Sequence, residues 1–402
     1  MSDTVMVIGF NIRPVACLCK QLGFRVIAID YWGDLDIKNC ADFLVDVFHQ
    51  KQSDHFCSDF NKPCSELLVD LAEKVANQVD KINFILVGSG FDDRPDLWMK
   101  LRHIAPTLGN SPERLNFIRD HEKLFSVAAE VGINFPRTEK AKSPSEAVEI
   151  AKDIGFPVVL KPIKGSGGFR IRFGMNPQEI EKNFEKVAGD NGGVLVQEYI
   201  RGINASSSIL GDGNDCVVVS INEQLIGVKK LGCTTPFGYC GNVVPLKLDN
   251  KILRRVEQIS LTLGTRLKLV GTNGFDFVIR PDGEPFLMEV NPRFQGTLEL
   301  VKYVTGLNLV EWHIKACYGE LPKEIPPYRG YAAKMIIFAK RKSIIPDLSG
   351  INHLFDVPNP GTIVNKGNPI CTVQVFSDTR KKAIEKAFKI VSKVKKTIKN
   401  SS

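Results

Sequence analysis

GFDFVIRPDGEPFLMEVNPRFQG, residues 274–296, holds two apolar runs around a Pro-Asp-Gly turn, and each run carries one carboxylate among hydrophobes, Asp276 in the first and Glu289 in the second. Turn residues between alternating apolar positions predict a β-hairpin. Alternation puts Phe275, Phe277 and Ile279 on one face with Asp276 on the other, while Phe286, Met288 and Val290 share a face opposite Glu289 and Asn291. With a loop of Pro281 to Glu284, Ile279 pairs with Phe286 and Asp276 falls directly across from Glu289. Like charges facing each other cost a strand pair up to ~1 kcal/mol, so a compensating partner is expected. A hard divalent cation is one: Asn291 adds a carbonyl oxygen on that face, and Mg²⁺ suits one or two carboxylates plus substrate phosphates. Arg293, two residues on, points to the same side and can clamp a phosphoryl group or a carboxylate. The bland alternative is a solvated acidic face paired with Arg293.

Working outward, FPVVLKP is a buried strand that ends on Lys161 and Pro162, followed by IKGSGGFRIRF, a hairpin with a flexible loop of Gly165, Ser166, Gly167 and Gly168. Backbone amides in such a loop can wrap phosphate oxygens, and glycine lets the chain approach closely. Neither the spacing nor the following helix of a Walker A motif is present. Lys161 sits in an otherwise apolar strand, so its ammonium either escapes to the surface or meets an anion.

The first segment, TVMVIGFNIRPVACLCKQLGFRVIAIDYWG, reads strand, loop, helix, strand, and KINFILVGSGFDD is a further apolar strand with a glycine loop at its carboxyl end. Residues 1 to about 115 are therefore expected to form a doubly wound parallel domain. Of a dinucleotide fingerprint only Gly9 survives in the first loop, and GSG at 88–90 lacks its third glycine, which argues against an oxidoreductase. NFIRDHEKLFSVAAEVGI reads as one helix, and SPSEAVEIAKDI as another started by Ser143, Pro144 and Glu146. Proline-rich ELPKEIPPYRG separates a last module whose strands include AAKMIIFAK, GTIV and ICTVQVF.

The 402 residues, 43% hydrophobic, suffice for two or three domains. No apolar run reaches the ~18 residues of a membrane span and the amino-terminal run is short for a secretory signal, so a cytoplasmic protein with no membrane partner is expected. Ten cysteines without CxxC spacing read as reduced thiols. Residues 380–402 hold nine Lys or Arg against Glu385 and so account for the net charge of +8. Ile384, Ala387, Phe388, Val391, Val394 and Ile398 recur there at helical spacing, giving an amphipathic helix with a solvated basic face. Nucleic-acid binding is not expected of it, because no stacking aromatics are interleaved with the lysines.

Taken in order, these stretches resemble the ATP-grasp superfamily over residues 1 to about 320. The resemblance implies an ATP-grasp fold, α/β and α+β, with a Rossmann-like pre-ATP-grasp domain at 1–115, an ATP-grasp domain at 116–320 whose lid spans about 157–200, and a small β-rich carboxyl-terminal domain at 326–402 similar to that of carboxylase-like members. It further implies ATP and Mg²⁺, two ions with Mn²⁺ as a substitute, held by Asp276, Glu289 and Asn291. Lys123 and Lys161 would contact nucleotide, KGSGGFR would cover the phosphates, and Gln197, Glu198, Tyr199 and Ile200 of VLVQEYIRG would line the adenine pocket, with Asn204 in place of the acidic residue that often grips ribose. Arg293 would steady an acyl phosphate. INASSSIL, VVVSINEQLIG and FGYCGNVVPL are more loosely similar to an archaeal branch that includes tyramine–glutamate ligase.

The activity so implied is a carboxylate–amine ligase acting on small carboxylate and amine substrates, with a homodimer as the default assembly. A carboxyphosphate-forming carboxylase is the second reading. Its pattern has a glutamate four residues after the clamp arginine, where this chain has Thr297, and no biotinyl MKM sequence is present. A nucleotide-binding regulatory protein is the third, and it predicts damage at metal and clamp positions that are intact here.

Overall fold

Continuous apolar runs build the first layer. β1 (Thr4–Gly9), β2 (Arg25–Asp30), β3 (Phe43–Asp46), β4 (Phe84–Val87) and β5 (Thr107–Leu108) form a parallel sheet in the order β3-β2-β1-β4-β5. Every residue of β1 and β4 is buried, as strands covered on both faces must be. Met6 and Ile8 pack with Leu67, Leu68 and Leu97 of helices Cys64–Ala76 and Pro95–Ile104. Val5 and Val7 pack on the other face with Val15 and Leu18 of helix Arg13–Gln21, and with Leu300 and Val301 of the distant helix Leu298–Thr305. The computed structural model describes residues 3–50, 63–165, 167–168, 170–189 and 192–400.

A second, antiparallel sheet of β6 (Thr138–Ala141), β7 (Val158–Pro162), β8 (Arg172–Gly174) and β9 (Val194–Glu198) runs in the order β6-β9-β7-β8. Helices Pro144–Ile154 and Pro177–Ala188 pack against it through Ala147, Ala151, Ile180 and Phe184. The first starts where the sequence signals it: Ser143 accepts from the amide of Glu146, while the Glu146 carboxylate accepts from the amide of Lys142.

The third sheet is the largest. β10 (Ile203–Asp212), β11 (Cys216–Ile226), β12 (Tyr239–Val244), β13 (Val270–Ile279), β14 (Pro285–Asn291) and β15 (Tyr331–Phe338) are joined by two late strands. After the short β16 (Ser343–Ile344) come β17 (Leu354–Phe355), β18 (Ile363–Val364) and β19 (Pro369–Ser377). The order is β14-β13-β10-β11-β12-β15-β19-β17, with β16 and β18 paired separately. β15 bonds to β12 from Gly241↔Met335 to Val244↔Ala332, so the strands after the proline-rich stretch extend this sheet. Helix Arg380–Asn400 lies on it, burying Ala383, Ala387, Val391, Val394 and Ile398. Among the described residues no helix is long and apolar enough to cross a membrane.

Three sequence expectations need correction. In the hairpin, Asp276 does face Glu289, but Ile279 pairs with Pro285 and the register shifts between Asp276 and Phe277. Gly283, at φ +90°, allows a tight turn in which Arg280 N–H donates to Glu284 O. Met288 is then the extra residue of a bulge, so Leu287 and not Met288 packs with Val290, Phe275 and Phe277 in the core. The helix expected through residues 116–133 is two, Pro112–Arg119 and His121–Glu130. Asp120 breaks them with an extended backbone and accepts from the amides of Glu122 and Lys123. Finally, Cys17 and Cys40 form a disulfide between Cα atoms 4.6 Å apart, where thiols were expected; the helix and the loop after β2 bring them together. Cys19, Cys216, Cys233, Cys240, Cys317 and Cys371 carry free thiols.

Candidate active site

The three sheets converge on one cavity of about 440 Å³. Bulging at Met288 restores the pairing that sets Asp276 against Glu289, and both side chains line the cavity with Met288 itself. Asp276 Oδ1 accepts from Gln224 Nε2 at 2.8 Å. Asn291 Nδ2 donates to Asp276 Oδ2 at 3.1 Å and to Glu289 Oε1 at 3.2 Å, so one amide bridges the two acids. Burial and then the neighbouring Glu289 push the Asp276 carboxyl well up. Burial would also raise Glu289, but Arg119 and Lys161 hold it below the usual range.

That geometry tests a cation. Two carboxylates converge with only an amide N–H between them, no cationic side chain hydrogen-bonds to Asp276 among the described residues, and turning the Asn291 amide presents Oδ1 to the same point. The donor set therefore fits a hard divalent ion whose remaining ligands are waters and phosphates. Among the described residues no group of three or more His, Cys, Asp or Glu side chains is placed to hold a metal ion.

Lys161 leaves β7 into the same space. Burial draws its ammonium down against the pull of Glu289 and Asp276. Gly167 and Gly168 line the cavity, and Gly165 lines a small recess beside it with Arg119, His121, Lys161 and Glu289. The loop rests on the segment after β11: Tyr239 N–H donates to Gly167 O at 3.3 Å, and a Cβ on Gly168, which has φ +73°, would lie 1.9 Å from Phe237 O. Close backbone packing thus demands the glycine. Ser166 falls outside the described residues. Gln197, Glu198, Tyr199, Ile200 and Asn204 line the opposite wall. Gln197 Nε2 donates to Thr138 Oγ1 at 2.8 Å while its Oε1 is buried without a partner among the described residues.

Lys123 is the expected site residue that stays outside. Its side chain is 53% exposed and pairs with Asp120 at 3.3 Å. The helix break sends Arg119 and His121 inward in its place. Arg119 binds Asp93 at 2.7 Å and Gly165 O at 3.0 Å, and Gly165 N–H donates to Asp93 Oδ2 at 3.2 Å, which fastens the loop's stem to the carboxyl end of the parallel sheet. His121 is driven down to about 4 by burial and then by Lys161 and Arg119, so at neutral pH it adds no charge.

Arg293 is anchored by a residue that sequence reasoning passed over: its Nε lies 2.9 Å from both carboxylate oxygens of Asp92. The signal was present in FDD at the carboxyl end of β4, where open parallel sheets bind ligands. Asn11 and Ser89 reach the cavity from the same edge, Tyr239 and Asn242 from β12, and Lys334 from β15.

A family model described as an ATP-grasp domain matches residues 118–297, the span that holds the glycine loop, the hairpin and Arg293. The chain belongs to the ATP-grasp family. It is 30% identical over 375 residues to an uncharacterized protein of Methanocaldococcus jannaschii, covering 92% of this chain and 87% of that one. Among solved structures, it resembles the biotin carboxylase domain of Hydrogenobacter thermophilus 2-oxoglutarate carboxylase, in complex with MgADP, ADP and bicarbonate (TM-score 0.74, 19% identity, 96% and 88% of the two chains). It also resembles L-amino acid ligase from Bacillus licheniformis (TM-score 0.72, 15% identity, 98% of each chain). At these identities the structures share the fold.

Proposed function

We propose that this chain is an ATP-dependent ligase that activates a carboxylate as an acyl phosphate and joins it to an amine, releasing ADP and phosphate. The reading is carried by the direct opposition of Asp276 and Glu289 in one cavity with Lys161 and the glycine loop. Adenine lies along Gln197 to Ile200, where the unpartnered Gln197 Oε1 takes the N–H of an exocyclic amine. Asn204 faces the ribose. Lys161, His121, Gly165, Gly167 and Gly168 surround the phosphates. Asp276, Glu289 and Asn291 would hold Mg²⁺, which would neutralise charge on the transferred oxygens.

A carboxylate oxygen attacks the γ-phosphorus, the bond to the β-phosphate oxygen breaks, and ADP leaves with that electron pair. Arg293, set by Asp92, steadies the acyl phosphate. The amine nitrogen then attacks the acyl carbon, the carbon–oxygen bond breaks, phosphate departs and the nitrogen gives up a proton. Covering the site keeps out water that would hydrolyse the intermediate.

The carboxyphosphate reading is disfavoured by Thr297, a neutral buried side chain whose hydroxyl is engaged with Ser208 Oγ at 2.9 Å. The test is ADP release with Mg²⁺, hydroxylamine as amine and a pool of small carboxylic acids. Glu289→Ala is expected to cut the rate about 10³-fold with little change in melting temperature. Undiminished turnover would remove the metal assignment and the ligase reading with it.

A further inference from the structure

Six charged side chains line the cavity: Lys161, Glu198, Asp276, Glu289, Arg293 and Lys334. The ligase reading engages the first five in binding nucleotide, cation and acyl phosphate. Lys334 is left over, and it stands apart. A cross-strand row leads from Asp276 to Ser206, then Asn222, and from Gln224 to Asn242 and Lys334. That is four strand spacings, roughly 19 Å along the sheet at ~4.8 Å each, too far for the ammonium to share the cation between Asp276 and Glu289.

Lys334 is 6% exposed, and its Nζ has one acceptor among the described residues, Gly296 O at 3.4 Å. No carboxylate lies within 4.0 Å of it among those residues. Glu299 and Asp356 act on it from a distance, but they share Arg13 with Asp36 and neither hydrogen-bonds to Lys334 Nζ. Arg13 Nη1 and Nη2 donate to Glu299 at 2.7 and 2.6 Å, and its Nε donates to Asp356 Oδ1 at 2.7 Å. An ammonium carries three donors, and a buried cation left so short of acceptors is costly. The cavity walls beside it, Tyr239, Asn242, Gln295 and Thr297, are neutral hydroxyls and amides, so among the described residues no carboxylate lines the cavity on that side.

We propose that Lys334 is the heart of a second anion subsite, and that the acid substrate of this enzyme is a dicarboxylate: one carboxyl is activated near Arg293 while the other pairs with Lys334. The inference rests on the ligase reading and names its substrate class. Gly296 ties the two ends together, since its carbonyl touches Nζ and it lies three residues from Arg293, within about 10 Å of chain.

Calorimetric titration of the full chain, preloaded with MgADP, tests it with three matched pairs: succinate against butyrate, glutarate against valerate, and adipate against hexanoate. The wild-type chain is expected to bind at least one diacid about tenfold more tightly than its monoacid partner, as a charged hydrogen-bonded pair requires. Lys334→Met is expected to erase that preference with MgADP affinity unchanged, and Lys334→Arg to keep part of it. No preference at any of the three lengths, or a preference that survives in Lys334→Met, overturns the subsite. Failure of MgADP itself to bind strikes the ligase reading instead, so the two failures are distinct.

Discussion

Asp92 decides where Arg293 can be. With both carboxylate oxygens on Nε, the guanidinium keeps Nη1 on Phe294 O at 3.0 Å and Nη2 toward Asn291 Oδ1 at 3.4 Å, and cannot swing. Asp92→Asn keeps the shape and discards the charge that orients the clamp. The expected result is a fall in kcat of about 10- to 100-fold, since small misplacements of a positioning group cost that much, with MgADP affinity within about twofold; steady-state kinetics and calorimetry check it. Which residues were legible follows from the same logic. Asp276, Glu289 and Lys161 stood out because a charge in an apolar strand has to be answered by something. Lys334, in YAAKMIIF, is the same kind of anomaly, but no turn or facing charge nearby in the sequence marks what answers it. Lys123 was misplaced for a different reason: apolar spacing runs through Asp120 without interruption, and only the cap made by that side chain turns Arg119 and His121 inward. Asp92 was hidden because its partner lies 201 positions away.

At the level of elements, the glycine loop and the hairpin obey backbone geometry more than composition. Alternation alone predicted which acids face each other, and it was right for them because a three-residue turn and a bulged Met288 shift the register by compensating amounts. It was wrong for Leu287 and Met288, since a bulge leaves no mark in an apolar run. In the loop, Gly168→Ala puts a methyl group against Phe237 O and a side chain at positive φ, a conformation that costs roughly 1–2 kcal/mol by itself. The loop must then lift away from Tyr239. We expect KM for ATP to rise about tenfold and kcat to fall, with the melting temperature nearly unchanged; rates identical to wild type would show that the loop does not cover the phosphates.

Across the whole molecule, long-range pairs join what the sequence presents as separate modules. Arg13 binds Asp36, Glu299 and Asp356, and Arg380 binds Glu223. The carboxyl-terminal helix belongs to this framework, with its lysines outward and its apolar stripe in the core. Removing residues 380–402 is therefore expected to lower the melting temperature sharply and expose apolar surface. Replacing the exposed Lys386, Lys389, Lys393 and Lys396 by Gln should leave the melting temperature in place. A truncated chain that melts like wild type would contradict the packing. The last strands were legible as strands, but their partner, β12, lies some ninety residues earlier, and no local pattern announces such a pairing. That ladder, unbroken from β14 to β17, has a mechanical corollary. No crease can form along it without sacrificing backbone hydrogen bonds, so the floor on which the acids and Lys334 stand holds its shape as one piece.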